Sequence, residues 1–335
     1  MIMTRVGITA AASALPEREV ETADLQRQVA DASGLRLPDG MFEQLTGVRR
    51  RRIAAGDEYA STLAVAAARR VLDDAGLDPL DVDVLLFASA SRDMAEPATA
   101  HVVQAELGSR AHALDVTNAC NSFINGIDLA RSLIIAGRAG RVLVVTGETP
   151  TRAMRTTLTG GMQAVRDAFA GYTFGDGGAA VLVEPVGSGG ILDIDTETHS
   201  EHWRVGGIPG GGSRLPRGDE HTYFSGEGHT LRAVFEKIGA GIIERVAART
   251  GLDWDDYRHV LVHQVTGPYL ARFVEITGVP ESKLVPTLPS LGNLASASLG
   301  VQLTRVFPGL RSGDRILLVG LGGGVSMMTM VWEKA

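Results

Sequence analysis

Apolar residues follow two rhythms along the chain. In one they recur at helical spacing, which predicts helices over Thr62–Ala75, Ala98–Leu107, Ser122–Ala136, Ala233–Thr250, Gly267–Gly278 and Ala295–Phe307. In the other they form short unbroken runs at Val82–Ala88, Arg141–Val145, Ala179–Val183, His259–Val262 and Arg315–Val319. Runs of that kind suit central strands covered on both faces. Met1 to Pro16 reads as a first strand and turn rather than a signal peptide, because the apolar stretch is short and Glu17, Arg18 and Glu19 follow closely. Residues 185 to 230 break both rhythms. Gly, Ser, Pro, His and charge dominate there, which predicts a strand pair and a long functional loop.

The pattern then repeats. Residues 67–87 run as an amphipathic helix, a Gly-Leu-Asp stop, an acidic loop and an apolar strand, and residues 243–263 run the same way. Gly76 and Gly251 correspond, 175 residues apart. Gly140-Arg-Val-Leu-Val-Val-Thr-Gly is echoed by Asp314-Arg-Ile-Leu-Leu-Val-Gly-Leu, with Arg141 and Arg315 174 residues apart. Two echoes in one order at nearly one offset predict an α/β fold of two duplicated halves, residues 1–185 and 186–335. The period is too long for a solenoid.

Charge changes the picture by exclusion. Thirty-two Lys and Arg against 39 Asp and Glu give a net charge of −7, which argues against nucleic acid or an anionic membrane as the main partner. No apolar run reaches the roughly 18 residues of a membrane span. Cys120 is the only cysteine, so no internal disulfide forms, which suits a reducing cytoplasm.

That cysteine is also the first candidate for chemistry. It sits in Asp115-Val-Thr-Asn-Ala-Cys-Asn-Ser, where an apolar segment runs into a helix start. Helix N–H groups there favour thiolate. The plain alternative is a small buried hydrophobe. The repeat supplies partners. An offset of 174 carries Cys120 to position 294, beside Asn293. His263 ends the second half's strand, and in doubly wound sheets chemistry gathers outside the C-terminal ends of the strands. Taken singly, His263 reads as a structural histidine and Asn293 as a helix cap. Together, Cys, His and Asn are a nucleophile arrangement. No cluster has metal-ligand spacing.

At these residues the chain resembles the thiolase superfamily, and most of all ketoacyl-acyl-carrier-protein synthase III. Seven segments carry the likeness in order: Thr46-Gly-Val-Arg-Arg-Arg-Arg-Ile; Pro97-Ala-Thr-Ala with Val103-Gln-Ala-Glu-Leu-Gly; Asp115-Val-Thr-Asn-Ala-Cys; Phe174-Gly-Asp-Gly-Gly-Ala-Ala; Pro209-Gly-Gly-Gly-Ser-Arg; His263-Gln with Asn293-Leu-Ala-Ser-Ala-Ser; and Gly320-Leu-Gly-Gly-Gly. The resemblance implies a layered α-β-α-β-α thiolase-like fold and a homodimer. It implies that Cys120 attacks an acyl thioester, with the oxyanion on the backbone N–H groups of Cys120 and Gly323. Glycine at 323 would let the backbone approach closely. His263 and Asn293 would then hold the enolate of a malonyl or other thioester, which attacks acyl-Cys120 in a Claisen condensation. The alternative on the same scaffold is transfer of the acyl group to an alcohol or amine. Coenzyme A or acyl-carrier-protein thioesters would be substrates, with no metal and no tightly bound cofactor.

The sequence departs from the family at several points. Met41 and Leu45 stand where a Trp and an Arg usually clasp coenzyme A, and Pro268 replaces an Arg that helps to dock the carrier protein. Arg155 and Arg166 lie in a replaced segment and read either as phosphate contacts or as exposed helix charges. Glu96, 24 residues before Cys120, lies in a loop that in the family reaches the partner subunit's pocket. In relatives that condense long acyl chains, a glutamate from that region acts as base. Glu96 also reads as an ordinary loop residue.

Overall fold

The computed structural model describes residues 4–226 and 228–335. The first half runs β1 (Val6–Ala14), β2 (Glu19–Glu21), α1 (Thr22–Ser33), α2 (Met41–Thr46), β3 (Arg50–Arg52), α3 (Ala60–Ala75), β4 (Val84–Ala88), α4 (Thr99–Leu107), β5 (His112–Val116), α5 (Ser122–Ile135), β6 (Val142–Glu148), α6 (Gly161–Ala168) and β7 (Gly177–Pro185). The second runs β8 (Gly190–Thr198), β9 (Gly206–Gly207), β10 (Ser225–Gly226), α7 (Gly228–Thr250), β11 (Tyr257–Val262), α8 (Gly267–Thr277), α9 (Leu288–Leu291), α10 (Ala297–Val306), β12 (Arg315–Gly322) and β13 (Ser326–Glu333).

Two sheets carry the fold, and their strand orders match. The first is β1-β7-β6-β4-β5 and the second is β8-β13-β12-β11. In each, two antiparallel pairings precede a parallel one: β1 with β7, β7 with β6, then β6 with β4. The second sheet repeats this as β8 with β13, β13 with β12, then β12 with β11. Beyond β11, Leu284 bridges Val260 in parallel, at the place β5 holds beside β4.

Side-chain alternation builds five layers from these sheets. Val84, Leu86, Val142 and Val144 face inward onto Phe123, Ile124 and Ile127 of α5 and Leu299 and Leu303 of α10. The same cluster takes in Leu261, Ile316, Leu318 and Met330 from the second sheet, so α5 and α10 are the central layer. Leu85, Phe87, Leu143 and Val145 face outward onto α3 and α4. Val260, Val262, Leu317 and Val319 face outward onto α7 and α8. Phe123 is fully buried at the centre, and its truncation to Ala would cost about 3–5 kcal/mol.

The predicted helices and strands are present to within a few residues, except that α7 begins at Gly228. The segment 185–230 differs more. Its long strand β8 pairs with β13 across the chain, and among the described residues the local strand pair is the two-residue β9–β10. Helices α1, α2, α6 and α9 and strands β2, β3, β5 and β13 were not anticipated.

Candidate active site

Cys120 follows β5 and sits at the mouth of α5. Ser122 shapes that turn: its hydroxyl donates to the Ala119 carbonyl (2.6 Å) and accepts from the Asn118 N–H (2.8 Å). Asn121 ties the turn to the other half, donating through Nδ2 to the Ser326 carbonyl and hydroxyl at 3.0 and 2.9 Å. Cys120 itself is half-buried, so a ligand can reach it. The protein around the sulfur still penalises charge. Burial first, then the Glu148 carboxylate, push the thiol up to about 12. The backbone N–H groups of Gly323 and of Cys120 point at the sulfur and act the other way.

Gly323 lies in the turn between β12 and β13. A Cβ there would meet Ala119 Cβ at an ordinary 3.5 Å, so close approach is not what this position requires. The requirement falls on its neighbours. A Cβ at Gly320 would run into the Asn121 side-chain oxygen, and one at Gly322 would stand 2.8 Å from Ser326 Oγ.

His263 is the residue after β11, and its N–H donates to the Val319 carbonyl of β12 (2.9 Å). The side chain is 1% exposed, and Nδ1 has no hydrogen-bond partner among the described residues. Burial alone lowers its pKa to about 4, so the imidazole is neutral at pH 7. Among the described residues no carboxylate pairs with it to make it a strong base. Asn293, 4% exposed, is held by its N–H on the Thr173 carbonyl (2.8 Å). Its Oδ1 accepts from the Ala295 N–H (3.0 Å), which leaves the Nδ2 hydrogens as donors to a ligand.

Contacts join the segments that carry these three residues. The Gly323 turn reaches Cys120. Gln302 of α10 donates to the Val262 carbonyl, just before His263 (2.9 Å). Ser296, three residues past Asn293, donates to Glu148, whose charge acts on Cys120.

Backbone strain marks the same region. Among the described residues, the non-glycines with positive φ are Ala119 (48°), Ala295 (47°) and Val325 (59°). Each lies within two residues of Cys120, Asn293 or Gly323. For a β-branched valine this conformation is a genuine outlier, and such strain gathers at functional sites.

Glu148 escaped the sequence reading, although a carboxylate closing the apolar run of β6 was a signal. It is fully buried and accepts from the N–H groups of Ala90 (2.7 Å) and Ser91 (3.0 Å), which root the loop carrying Glu96. Burial raises its pKa. Glu96 itself is exposed and makes no hydrogen bond or ion pair among the described residues. Arg51, in the Thr46 segment, is also fully buried. It donates to the carbonyls of Tyr172 (2.6 Å) and Phe174 (2.8 Å), and Phe174 bridges Asn293.

The departures resolve as structure. Met41 is half-buried in the cluster of α1 and α2, and Leu45 is exposed. Pro268 occupies the first turn of α8, where its missing N–H costs nothing. Arg155 donates to the Glu220 carbonyl (3.1 Å) and lies over the Tyr223 ring (4.7 Å). Arg166 bonds Gln163 on the exposed face of α6. Among the described residues no group of His, Cys, Asp and Glu is placed to hold a metal, and no helix is long and apolar enough to cross a membrane.

Known proteins share this architecture across nearly its whole extent. OleA of Xanthomonas campestris, solved with cerulenin bound, matches at a TM-score of 0.88 with 25% identity, covering 99% of this chain and 98% of its own. FabH of Xanthomonas oryzae pv. oryzae, a 3-oxoacyl-(acyl carrier protein) synthase III, matches at 0.88 with 26% identity, covering 99% and 100%. The molecule is thus a condensing enzyme of the thiolase-like fold. The sequence narrows the class. Profiles of 3-oxoacyl-[acyl-carrier-protein] synthase III match residues 114–200 and, for its C-terminal part, 247–334. The beta-ketoacyl-[acyl-carrier-protein] synthase III of Roseiflexus sp. (strain RS-1) is 32% identical over 333 residues, 95% of either chain. Synthase III 3 of Streptomyces coelicolor is 32% identical over 336 residues, 97% of this chain and 96% of its own. The chain belongs to the 3-oxoacyl-[acyl-carrier-protein] synthase III family.

Proposed function

We propose that the enzyme forms a carbon–carbon bond by decarboxylative Claisen condensation, in a specialised polyketide or lipid pathway. The observation that carries this reading is the pair of N–H groups, from Cys120 and Gly323, aimed at the Cys120 sulfur, with a neutral His263 and an Asn293 whose Nδ2 is left to donate on the adjoining segments. Cys120 attacks the carbonyl of an acyl thioester, and the two N–H groups hold the oxyanion, each worth about 3–4 kcal/mol. The carrier thiol leaves with a proton and the acyl group stays on sulfur. A malonyl thioester then loses carbon dioxide. The enolate oxygen accepts hydrogen bonds from His263 and Asn293, and its carbon attacks acyl-Cys120. A β-ketoacyl thioester leaves, and the expelled Cys120 thiolate takes up a proton from water to restore the thiol.

Loss of carbon dioxide supplies the enolate without a base, which fits a site whose nearest carboxylate, Glu148, is already engaged. The enzyme works on coenzyme A or carrier-protein thioesters and requires no tightly bound cofactor or metal. The two halves, 1–185 and 186–335, are read as duplicates on the matched strand orders. A homodimer is consistent with β5, an open edge of the first sheet.

Intact mass after incubation with a panel of acyl thioesters tests the first step. An adduct present in the wild type and absent in Cys120→Ala is expected, and no adduct from any donor overturns the reading. Carbon dioxide release from a malonyl thioester tests the second. Transfer to an alcohol or amine without that release would establish the acyltransferase instead.

A further inference from the structure

The segment from His199 to Gly226 lies over the site. At its start, the His199 N–H donates to the carbonyl of strained Val325 (2.8 Å). Further on, the Gly206 carbonyl stands 4.0 Å from where a Cβ on Gly323 would be. At its end, the Phe224 N–H donates to the Ala153 carbonyl (2.9 Å), and its ring meets Phe174 edge-on at 5.2 Å.

Between the first two anchors sits Trp203, 48% exposed. Two guanidinium groups lie over its indole, Arg204 at 4.9 Å and Arg214 at 5.0 Å. Both arginines are exposed, and neither has a carboxylate partner among the described residues. Other arginines of this chain do: Arg141 with Glu184, Arg245 with Asp195 and Glu197, Arg249 with Asp193. Two acids of the segment are engaged elsewhere. Glu201 meets His199 (3.4 Å) and His202 (3.9 Å), and Glu220 meets His221 (3.4 Å). A chain of net charge −7 therefore keeps two cations unneutralised on one ring. Stacking on the indole fixes the guanidinium planes and leaves their N–H edges free to fork onto an oxyanion.

We propose that Trp203, Arg204 and Arg214 form a clamp for the phosphate of the pantetheine arm that delivers the thioester to Cys120. Two residues lie between Trp203 and Gly206 and they turn rather than extend, so the clamp stands within about 10 Å of the Gly206 that faces Gly323. The assignment rests on the function proposed above. The shared chemistry is a phosphate ester at the end of the arm, present both in coenzyme A and on a carrier protein.

Calorimetric binding of 4′-phosphopantetheine and of pantetheine, which differ only in the phosphate, is the test. The wild type should prefer the phosphorylated form by about tenfold, the scale of a charge-assisted pair of hydrogen bonds, and that preference should shrink as salt is raised. Arg204→Gln with Arg214→Gln should abolish it at an unchanged thermal midpoint. Equal binding of the two probes by the wild type, or a preference that survives in the double variant or at high salt, overturns the clamp. Parallel titrations with coenzyme A and with a phosphopantetheinylated carrier protein show which source loses affinity in the double variant. If neither does, the clamp is refuted. Because this readout is binding, a wild type that forms no acyl adduct would sink the proposed function and still leave the clamp decided.

Discussion

Ala119 and Ala295 hold the same left-handed backbone, φ 48° and 47°, at the same place in two like units. Each carbonyl then accepts from the N–H three residues on, Ser122 at 3.1 Å and Ser298 at 3.3 Å, and a central helix follows. The residue after the strained alanine is Cys120 in one turn and Ser296 in the other. Cys120 is half-open, whereas Ser296 is completely buried and spends its hydroxyl on Glu148 and on Thr146 (2.7 Å). Glu148 acts on both, as a partner for Ser296 and as a charge that keeps Cys120 a thiol. One turn leaves its side chain open and the other closes it into the core.

The largest effect should come from exchanging those roles. Cys120→Ala removes the acyl adduct and lowers turnover by at least about a thousandfold. Adding Ser296→Cys to that variant should restore neither, because position 296 is closed to substrate. An adduct at position 296 by peptide mass mapping would break the asymmetry.

The next effect separates the two chemical steps. His263→Ala and Asn293→Ala should keep acylation within a few-fold while condensation falls about 100- to 1000-fold, as for lost donors to a developing oxyanion. With its pKa lowered to about 4, His263 stays neutral over roughly pH 5 to 8, so it should leave the condensation rate flat there. Below that range the imidazole gains charge and the rate should fall. A rate that climbs through pH 6.5 would mean that His263 titrates like an exposed histidine.

How much of this was legible in the sequence depended on what each residue signals. Glycines closing α3 and α7 and unbroken apolar runs marked the helices and central strands, because positive φ at Gly76 (65°) and Gly251 (70°) favours glycine. The repeat pointed to His263 and Asn293 as partners for Cys120. It missed Ser296 as the counterpart of Cys120, since an offset of 174 from the strands becomes 176 at the turn through small insertions between elements. Ala119, Ala295 and Val325 gave no warning, because nothing about alanine or valine announces positive φ. β5 was missed as a mixed-pattern edge strand, and α6 as a short helix of eight residues.

A smaller effect tests the shared glutamate. With the thiol pushed up to about 12, iodoacetamide alkylation of Cys120 should be slow at pH 8 and rise about tenfold per pH unit. Glu148→Gln removes a charge that opposes the thiolate, so the thiol pKa falls and alkylation at fixed pH becomes several-fold faster. Slower alkylation would reverse the assigned sign. Ser296→Ala leaves buried partners unsatisfied and should cost about 1–3 kcal/mol in denaturant unfolding.

The smallest effect concerns the glutamate that lies outside both turns. Glu96 is exposed on the loop between β4 and α4, and that loop is fixed at its root by Glu148 and at its end by Asp115, which accepts from the N–H groups of Thr99 (3.0 Å) and Ala100 (2.8 Å). Its position is therefore set by Glu148 and Asp115. If carbon dioxide loss makes the enolate, no carboxylate base is needed, and Glu96→Gln should change malonyl-dependent condensation by less than about twofold. If the enolate instead forms by proton removal from an acyl thioester, the same variant should lose about 100-fold or more, and no carbon dioxide should appear. Rate and gas release measured together on Glu96→Gln thus decide whether the reacting turn is sufficient with its His263 and Asn293 donors, or requires a base from beyond the duplicated pair.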